Sequence, residues 1–401
     1  MNTRAIVRAL GLAVLVVAAD CKSPTPPSQT GTPVVNAGQD ASVEVGTPFQ
    51  LAATFTDTTA NGAPWEYEIA WGDGATSSGT KNTVSTITGS HTFTQKGDYQ
   101  VTVSVTNSRA KTGTGSLTVG ATDAPAPVIL AAGDIGDCTR TTDNATGQLI
   151  STLSGTVIPL GDNAYTNGTP AEFANCYDPA WGNAKNRTRP VAGNHDYYNP
   201  GATKNADGYF GYFGSAAGDP SKGYYDFVLG SWLIIVLNTG TENPNFIAAG
   251  SAQEQWLRAE LASHTEPCTL ALFHHPQFST LAARPFIRPE TTPIWLALYE
   301  GGADLVLNGH DHTYQRFKPM RPDGTADAQF GIRQITVGTG GGESLYAFDS
   351  TVTNPNLEVR NSDTWGVLKL TLHSNSYDWQ FIRATGGTFT DSGSGNCHGR
   401  P

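Results

Sequence analysis

Five apolar runs between residues 127 and 312 end in side chains of the types that can bind metal ions or protons. The runs read PVILAAGD, TVIPLGD, TRPVAGNHD, CTLALFHHP and ADLVLNGHDH. Continuous apolar runs of this length predict buried strands in a sheet that is covered on both faces. The polar groups that end these runs are Asp134, Asp162, Asn194, His195, His274, His275, His310 and His312.

Helical patterns separate several of these runs, and the alternation indicates the fold of residues 128–401. Residues 252–264 (AQEQWLRAELASH) and 292–302 (TPIWLALYEGG) are two such patterns. Strands that alternate with helices predict βαβ units and a buried, largely parallel sheet. In open α/β sheets the functional groups lie beyond the carboxyl ends of the strands. We therefore expect the five run ends to meet at one site.

The residue types at the run ends suit metal ions. Aspartate, asparagine, histidine and Tyr165 form a mixed nitrogen and oxygen set, which is typical of iron, zinc or manganese and lacks the thiolates of structural zinc sites. The set is large enough for two ions about 3.5–4 Å apart, bridged by a carboxylate. His310 and His312 share a strand face because they are two residues apart, so each can serve a different ion. The alternatives are a polar loop for this pair and a core position for Tyr165.

The motifs GDIG, GDNAY, GNHD, FHHP and GHDH occur in this order. They resemble those of the calcineurin-like metallophosphoesterases, and most closely the purple acid phosphatase branch. The resemblance covers nearly all of residues 128–401 and implies a β-sandwich flanked by helices, with βαβαβ motifs. Gly136, where the wider superfamily has histidine, and Tyr165 together favour this branch. The resemblance implies that Asp134, Tyr165 and His312 bind a first metal, that Asp162 bridges, and that Asn194, His274 and His310 bind a second.

The resemblance also implies a cofactor and a reaction. Two metal ions per chain, Fe(III) plus a divalent iron, zinc or manganese, would bind a phosphate ester, and a metal-bound hydroxide would attack it. Fe(III) is favoured because a phenol with a pKa of about 10 ligates only beside a strong Lewis acid. His195 would act as an acid or as a donor to the phosphoryl oxygens. Asp196 could orient the imidazole of His195, and the alternative for Asp196 is a turn residue.

The motifs constrain the substrate-contacting residues less than they constrain the metal ligands. His275 cannot share a strand face with His274, so we expect it beside the substrate or in a structural role. Tyr314 and Arg316 follow the last motif and are candidate pocket residues. The segment QFSTLAARPFIRPE (277–290) lacks the histidines that many family members place there. Arg284 or His275 are the candidates to replace them.

Residues 34–120 predict an all-β unit. Tyr99, Val101, Val103 and Val105 alternate with polar residues and would share one face of a strand. The stretches NAGQDASVEVG, WGDG and HTFTQKGDYQVTVSVTN resemble the polycystic-kidney-disease (PKD) repeat, an immunoglobulin-like sandwich. This resemblance implies a spacer or a weak binder of a cell-surface or matrix partner. Residues 121–127 are expected to form a linker to the catalytic domain at 128–401.

Residues 1–21 (MNTRAIVRALGLAVLVVAADC) combine two arginines with an apolar stretch of about ten residues. This pattern is typical of a secretory signal and is too short for a membrane-spanning helix. Cys21, with the flexible stretch 22–33 after it, resembles a bacterial lipoprotein signal. That resemblance implies lipidation of Cys21 and a place at the outer surface or in the periplasm. The alternative is a soluble secreted protein.

The remaining four cysteines are an even number, which suits disulfides in an oxidising compartment. Three pairings are possible from the sequence. We favour Cys138–Cys176 and Cys268–Cys397, because the second pair would hold the C-terminal tail against the body of the domain.

The charge balance limits the partners. The chain has 24 Lys and Arg against 35 Asp and Glu, a formal net charge of −11, which argues against a nucleic-acid scaffold as partner. A phosphate substrate remains compatible because bound metal ions reverse the local field. We expect phosphomonoester hydrolysis. The alternatives are a phosphodiesterase or nucleotidase with the same metals, and a non-catalytic adhesion or structural protein of the cell surface.

Overall fold

The structure is a computed structural model that describes residues 31–59, 61–198, 205–241, 243–282, 284–348 and 354–399. The chain divides into two compact units, and the division falls between Pro125 and Ala126. Each unit has its own core. The predicted signal and Cys21 lie outside the described residues.

The first unit is a sandwich of two sheets. Its strands are β1 (Val34–Asn36), β2 (Ala41–Glu44), β3 (Pro48–Thr56), β4 (Trp65–Ala70), β5 (Thr76–Lys81), β6 (Ile87–Thr92), β7 (Gly97–Thr106) and β8 (Thr112–Thr122). One sheet has the order β1-β3-β6, and the other has the order β2-β8-β7-β4-β5. Only β2 and β8 pair in parallel among the described strands of this unit.

The core of this unit follows the alternation of its strands. Val101, Val103 and Val105 of β7 are fully buried, and they face the opposite sheet because alternate side chains share a face. Trp71 is also buried, and its ring stacks on His91. His91 Nε2 lies 2.6 Å from Asp73 Oδ2, so this histidine has a structural role at the turn between strands.

The second unit contains twelve strands among its described residues. They are β9 (Val128–Ala132), β10 (Thr156–Pro159), β11 (Tyr225–Leu229), β12 (Trp232–Val236), β13 (Cys268–Leu272), β14 (Leu305–Asn308), β15 (Tyr314–Phe317), β16 (Arg333–Val337), β17 (Leu357–Asn361), β18 (Gly366–Leu372), β19 (Ser376–Arg383) and β20 (Ser392–Asn396). One sheet has the order β10-β9-β18-β19-β20. The other has the order β11-β12-β13-β14-β16-β15-β17.

Helices of the second unit connect and cover these sheets. They are α1 (Thr142–Thr152), α2 (Pro170–Glu172), α3 (Asp178–Trp181), α4 (Asp207–Phe213), α5 (Pro244–Ile247), α6 (Ala252–Ser263) and α7 (Thr292–Glu300). A π-helical turn spans Phe173–Tyr177, and 3₁₀ turns span Gly182–Arg187, His195–Tyr197 and Gly214–Ala217. Ser251 caps the start of helix α6, because its side chain accepts a hydrogen bond from the N–H of Glu254.

Both sheets of the second unit are mixed, so the expectation of a largely parallel sheet is wrong. β12, β13, β14 and β16 pair in parallel, as do β9 and β10. The remaining strand pairs are antiparallel. Hairpins, and not helices, connect three of these pairs, β11 to β12, β18 to β19 and β19 to β20. The run TRPVAGNHD forms only isolated bridges to the β10 segment, at Thr188 and Val191.

The seven-stranded sheet is buried on both faces, which explains its continuous apolar strands. In β12, Trp232, Ile234 and Val236 belong to the core between the two sheets. Leu233 and Ile235 of the same strand belong to a second core with helices α6 and α7. This is the predicted β-sandwich flanked by helices.

Candidate metal centre

The ligand-type side chains follow the carboxyl ends of parallel strands. Asp134 lies two residues beyond β9, and Asp162 lies three residues beyond β10. His274 and His310 lie two residues beyond β13 and β14. Asp134, Asp162 and His310 have left-handed φ values of 65°, 51° and 67°. Aspartate and histidine tolerate this conformation better than most residues, and it turns the chain sharply where each strand ends.

Asp134, Tyr165 and His312 form one cluster, which we call the tyrosine group. The phenol of Tyr165 donates to Asp134 Oδ1 at 2.9 Å and lies 3.3 Å from both Asp162 Oδ2 and His312 Nε2. His312 Nε2 lies 3.2 Å from Asp134 Oδ1. Burial and the charges of Asp134 and Asp162 raise the pKa of Tyr165 well above its usual value. Without a bound metal, the phenol therefore keeps its proton.

Asn194, His274 and His310 form a second cluster, the histidine group. The ligand atoms of Asp162, His274 and His310 all lie within 4.8 Å of one another. His274 Nδ1 lies 2.7 Å from Leu160 O, so Nδ1 carries a hydrogen. His274 Nε2 lies 3.1 Å from Asp162 Oδ2 without hydrogen-bond geometry. His195, the residue after Asn194, donates its backbone N–H to Asp162 Oδ1. This contact places Asn194 beside Asp162.

Asp162 contacts both groups. Its Oδ2 lies 3.3 Å from the phenol of Tyr165 and 3.1 Å from His274 Nε2. Its Oδ1 accepts the backbone N–H of His195 at 2.8 Å. Burial raises the pKa of Asp162, but the charges of His274 and His195 outweigh burial and lower it overall. Asp162 is therefore ionised, and it is the carboxylate that lies between the two groups.

Two buried atoms of the histidine group have no hydrogen-bond partner, Asn194 Oδ1 and His274 Nε2. The amide nitrogen of Asn194 donates to Tyr198 Oη at 2.9 Å. This hydrogen bond holds the amide in an orientation in which Oδ1 points away from Tyr198. A buried polar atom without a partner costs about 1–3 kcal/mol. A metal ion would satisfy both atoms. The donor set of the two groups therefore fits two metal ions.

His195 and Asp196 do not contact each other through their side chains. His195 Nδ1 lies 2.6 Å from Thr166 O, and its Nε2 lies 3.9 Å from Asp162 Oδ2. The buried Asp196 carboxylate instead accepts hydrogen bonds from Gly193 N, Asn163 N and Asn163 Nδ2. The prediction that Asp196 orients His195 is thus wrong. A 3₁₀ turn over Asp196 directs its side chain away from the imidazole and toward the loop that carries Asp162.

Family comparisons agree with this geometry. Residues 127–314 match the family model of calcineurin-like phosphoesterases, and residues 30–120 match that of PKD domains. The second unit is a calcineurin-like phosphoesterase domain. Among solved structures, the PKD domain of an M14-like peptidase from Thermoplasmatales archaeon SCGC AB-540-F20 is similar to the first unit. The identity is 27%, the TM-score is 0.20, and the match covers 23% of this chain and 98% of that chain.

The curated relatives of the chain are purple acid phosphatases of Arabidopsis thaliana. Purple acid phosphatase 15 is 27% identical over 222 residues, which cover 47% of this chain and 40% of that protein. Purple acid phosphatase 18 is 29% identical over 157 residues, which cover 37% of this chain and 34% of that protein. The chain thus spans less than half the length of these two relatives.

Gly136 of the phosphoesterase domain stands where a side chain would not fit. A Cβ at this position would lie 2.9 Å from Asn163 O and 2.9 Å from the backbone of Tyr177. Gly193 is equally restricted, because a Cβ there would collide with the backbone and carboxylate of Asp162. The packing of the backbone therefore excludes a histidine at residue 136, and Tyr165 supplies the third side chain of the tyrosine group.

Tyr314 and Arg316 of the phosphoesterase domain are not pocket residues, which corrects the prediction. Both lie on β15 and are buried, and their side chains bind Asp391. The phenol of Tyr314 donates to Asp391 Oδ2 at 2.7 Å, and Arg316 Nε donates to the same oxygen at 2.7 Å. Arg316 also pairs with Glu358 and lies over the ring of Trp379. These contacts join the two sheets.

His275 and Arg284 lie beside the histidine group. The His275 ring is centred 4.1 Å from the His310 ring, and its Nδ1 lies 3.0 Å from Thr239 Oγ1. Arg284 Nη1 lies 2.6 Å from His310 Nε2, and its Nε pairs with Asp311 Oδ1 at 2.9 Å. Sequence reasoning missed Asp311. Its place between His310 and His312 was the available signal, since alternation puts it on the opposite face.

Both predicted disulfides are present, Cys138–Cys176 and Cys268–Cys397. The first joins the loop after β9 to the π-helical turn, and the second joins the start of β13 to the C-terminal tail. These bonds are consistent with export, because disulfides persist in oxidising compartments. No helix within the described ranges has the length and apolarity needed to cross a membrane.

Proposed function

We propose that the chain is an exported phosphatase that hydrolyses phosphomonoesters at the candidate centre with two metal ions. One observation carries the proposal: Asp162 contacts both the tyrosine group and the histidine group. A carboxylate between two ligand groups is what a two-metal site for phosphoryl transfer requires. The match of residues 127–314 to calcineurin-like phosphoesterases supports the same chemistry.

We assign one metal to each group, with Asp162 as the bridge. The phenol of Tyr165 favours Fe(III) in the tyrosine group, because burial and two carboxylates oppose loss of its proton and only a strong Lewis acid would displace it. A divalent iron, zinc or manganese ion suits the nitrogen and oxygen ligands of the histidine group. When bound, the two ions would neutralise the ester and lower the pKa of a water molecule to about 7.

His195 is suited to hold the proton for the leaving oxygen. A carbonyl oxygen only accepts hydrogen bonds, so the contact with Thr166 O keeps a hydrogen on Nδ1. Nε2 is then the atom that gains and releases the catalytic proton. The rings of Tyr165 and Tyr198, each centred 4.7 Å from the imidazole, hold its orientation. A positioned acid of this kind contributes about 10²–10⁴-fold to the rate.

Arg284 is suited to bind the phosphoryl oxygens. Its guanidinium lies against His310 and is held by the buried carboxylate of Asp311. Asp311 is itself hydrogen-bonded to Ser279. Guanidinium groups bind phosphate oxygens with two parallel hydrogen bonds. Arg284 would therefore supply the donors that histidines provide in many members of the family.

Three measurements on the purified full-length protein test the proposal: metal content, visible spectrum, and turnover of p-nitrophenyl phosphate. We expect two metal ions per chain, a charge-transfer band and turnover. Bis(p-nitrophenyl) phosphate serves as the comparison substrate. Asp378→Ala, which removes an exposed carboxylate paired with His373, is the matched control for variants of the centre.

The outcomes separate the rival functions. Turnover without colour would keep the phosphatase and replace Fe(III) by zinc, manganese or reduced iron. A clear preference for the diester would make the protein a phosphodiesterase. Metal binding without hydrolysis of either ester would refute the proposal and favour a non-catalytic surface protein.

We also propose that a lipid on Cys21 anchors the chain and that the PKD domain contacts a cell-surface or matrix partner. Fractionation of cells that express the full chain tests the anchor. The wild type should sediment with membranes, and Cys21→Ala should be released into the soluble fraction. Equal release of both proteins would mean that the chain is secreted without an anchor.

A further inference from the structure

A second set of side chains that can bind metal lies at the start of β13, away from the candidate centre. The Sγ atoms of Cys268 and Cys397 and one carboxylate oxygen of Asp304 lie within 4.8 Å of one another. Cys268 is the first residue of β13, and Asp304 directly precedes β14. These positions are at the opposite ends of the strands from His274 and His310. The set is therefore separate from the groups that carry the proposed function.

Asp304 is the charged member of this set. Its side chain is 1% exposed, although aspartate is seldom buried without a partner. Its oxygens accept the backbone N–H of Thr269 at 2.8 Å and that of His398 at 2.7 Å. An ionised carboxylate has about four acceptor sites, so sites remain for a metal ion. Among the described residues, its one ion-pair partner is the imidazole of His398.

His398 presents a lone pair to this carboxylate. Its Nδ1 lies 2.6 Å from Gly399 O, and because a carbonyl oxygen only accepts, Nδ1 carries a hydrogen. In neutral imidazole Nε2 then carries the lone pair. Nε2 is buried, lies 3.6 Å from Asp304 Oδ1 and has no hydrogen-bond partner in the described part of the chain. Two acceptors that face each other need a cation between them, and metal-binding histidines are commonly held by a backbone carbonyl in this way.

The two cysteines complete the set. They form a disulfide, and their Cα atoms are 5.5 Å apart. As thiolates, they would add two sulfur ligands to one imidazole nitrogen and one carboxylate oxygen. Four ligands of these types suit a closed tetrahedral zinc site. We call these four residues the tail cluster: Cys268, Asp304, Cys397 and His398.

A cavity of about 380 Å³ adjoins the tail cluster. Its lining includes Thr269 and Gly399, whose backbone groups are hydrogen-bonded to the cluster. Thr265 and Pro267 also line the cavity and are exposed, so it opens to solvent. An ion can therefore reach the cluster while the domain stays folded, as a metal site requires.

The cluster is attached to a weak edge of its sheet. β20 (SGSGN) is the terminal strand in the order of that sheet, and Cys397 directly follows it. Most of its residues are exposed. Glycine weakens a strand because it has no side chain to pack. A link from Cys397 to β13 therefore contributes more to the order of this tail than it would to that of a buried central strand.

We propose that the tail cluster binds a zinc ion when its disulfide is open, and that the ion then holds the C-terminal tail in place of the disulfide. The open state exists before the disulfide forms and after a dithiol reduces it. The proposal goes beyond the phosphatase function and does not depend on it.

The chemistry of the exchange is balanced. A dithiol supplies two electrons and two protons, the Cys268–Cys397 bond breaks, and the dithiol closes to its own disulfide. Zinc then replaces the proton of each thiol, so two protons are released as the ion binds. Oxidation by a disulfide-containing oxidant reverses both steps and expels the ion.

Co(II) is the probe for this site, because it can take the place of zinc and can be observed. Thiolate ligands give Co(II) a charge-transfer band in the near ultraviolet, which nitrogen and oxygen ligands do not. The candidate centre has no cysteine in its two groups, so this band separates the two sites. The full chain with Cys21→Ala, which leaves four of the five cysteines, is reduced with a water-soluble phosphine in the absence of oxygen. We expect one thiolate-bound Co(II) per chain, its displacement by Zn(II), and no such band in the oxidised protein.

Cysteine variants assign the band to one pair of sulfurs. The double variant Cys268→Ser, Cys397→Ser should lose it. The double variant Cys138→Ser, Cys176→Ser should keep it, because that pair is the other disulfide. Absence of the band in the reduced parent protein, or its survival in the first double variant, would overturn the proposal.

Two further variants test the other ligands. Asp304→Asn and His398→Gln should each weaken Co(II) binding at the thiolate site at least about tenfold, since even the loss of a residue behind the ligands costs that much. Both keep their disulfide in the oxidised form, where circular dichroism checks their fold. His373→Gln, which removes an exposed imidazole paired with Asp378, is the matched control and should bind as the parent does. Affinities equal to that of the parent in both test variants would refute the ligand set.

Hydrogen exchange tests whether the ion holds the tail. In the reduced parent protein, Zn(II) should slow the exchange of the β20 amides at least about tenfold, because it closes the local opening of this edge. In reduced His398→Gln the same zinc concentration should have little effect. Equal exchange with and without zinc in the reduced parent would refute the proposed hold on the tail. Neither readout uses ester hydrolysis, so failure here and failure of the phosphatase function are distinguishable.

Discussion

The tyrosine group and the histidine group share Asp162 but differ in their hydrogen bonding. In the tyrosine group, the phenol of Tyr165 donates to Asp134, and His312 Nδ1 lies 3.2 Å from Ser344 O. In the histidine group, Asn194 Oδ1 is buried without a partner, and His274 Nε2 lies 3.1 Å from Asp162 Oδ2 without hydrogen-bond geometry. The polar atoms of the first group all have partners, whereas Asn194 Oδ1 of the second group has none.

This difference predicts different costs of metal binding. A metal in the tyrosine group must replace existing hydrogen bonds and displace the proton of Tyr165. A metal in the histidine group gives a partner to Asn194 Oδ1, which has none, and so removes a cost of about 1–3 kcal/mol. At His274 Nε2, which lies 3.1 Å from the Asp162 carboxylate, the metal must displace a proton. The histidine group should therefore accept divalent ions once His274 has lost its proton, and the tyrosine group should select a stronger Lewis acid.

The largest expected effect comes from Asp162→Ala, which removes the carboxylate that contacts both groups. We expect metal content to fall from two ions per chain toward none, and turnover to fall by about 10³-fold or more, because both ions lose a ligand. Elemental analysis and p-nitrophenyl phosphate turnover check this, with Asp378→Ala as the control. Retention of one tightly bound ion would show that the groups are independent.

His195→Ala should leave both groups intact and slow the reaction. The rate on an alkyl phosphate should fall by about 10²–10⁴-fold, since its leaving oxygen needs a proton. The loss on p-nitrophenyl phosphate should be smaller, because nitrophenolate leaves without one. Metal content should stay at two per chain. Full activity on the alkyl ester would exclude the acid role.

Tyr165→Phe changes the tyrosine group and leaves the histidine group intact. It removes the oxygen of the tyrosine group and leaves the packing of the ring against His195. We expect loss of the visible band and about 10–100-fold weaker binding of one ion, with the other ion retained. Titration of the variant with Fe(III) and Zn(II), followed by spectrum and metal content, measures this. An unchanged band would place the chromophore elsewhere.

The smallest effect concerns pH. Burial lowers the pKa of His274, but the charges of Asp162 and Asp134 outweigh burial and raise it overall. A proton on His274 Nε2 competes with a metal ion. The metal affinity of the histidine group should therefore fall by up to about tenfold for each unit by which the pH is lowered, throughout the range in which His274 is protonated. Calorimetry in two buffers of different ionisation enthalpy counts the released protons. Affinity that does not change with pH would contradict this competition.

The sequence predicted which candidate ligands lie together, but it did not predict the contacts of the residues around them. Asp134, Asp162, His274 and His310 follow apolar strands, and the ends of parallel strands bring such residues together regardless of loop detail. The predicted roles of Asp196 and Arg316 were wrong because the partners of these residues are set by tertiary packing. Arg316 pairs with Asp391, 75 positions away, and no local pattern connects them.

The left-handed backbone at Asp134, Asp162 and His310 has a consequence for the evolution of this centre. A β-branched or bulky residue at such a position would cost about 1–2 kcal/mol before any chemistry is considered. Glycine, asparagine and aspartate are the replacements that the chain tolerates best. A descendant that no longer bound metals would therefore accept few other residues at these three positions. Its sequence would continue to resemble that of a phosphatase. Residues outside the left-handed region, such as His274, are the better markers of retained function.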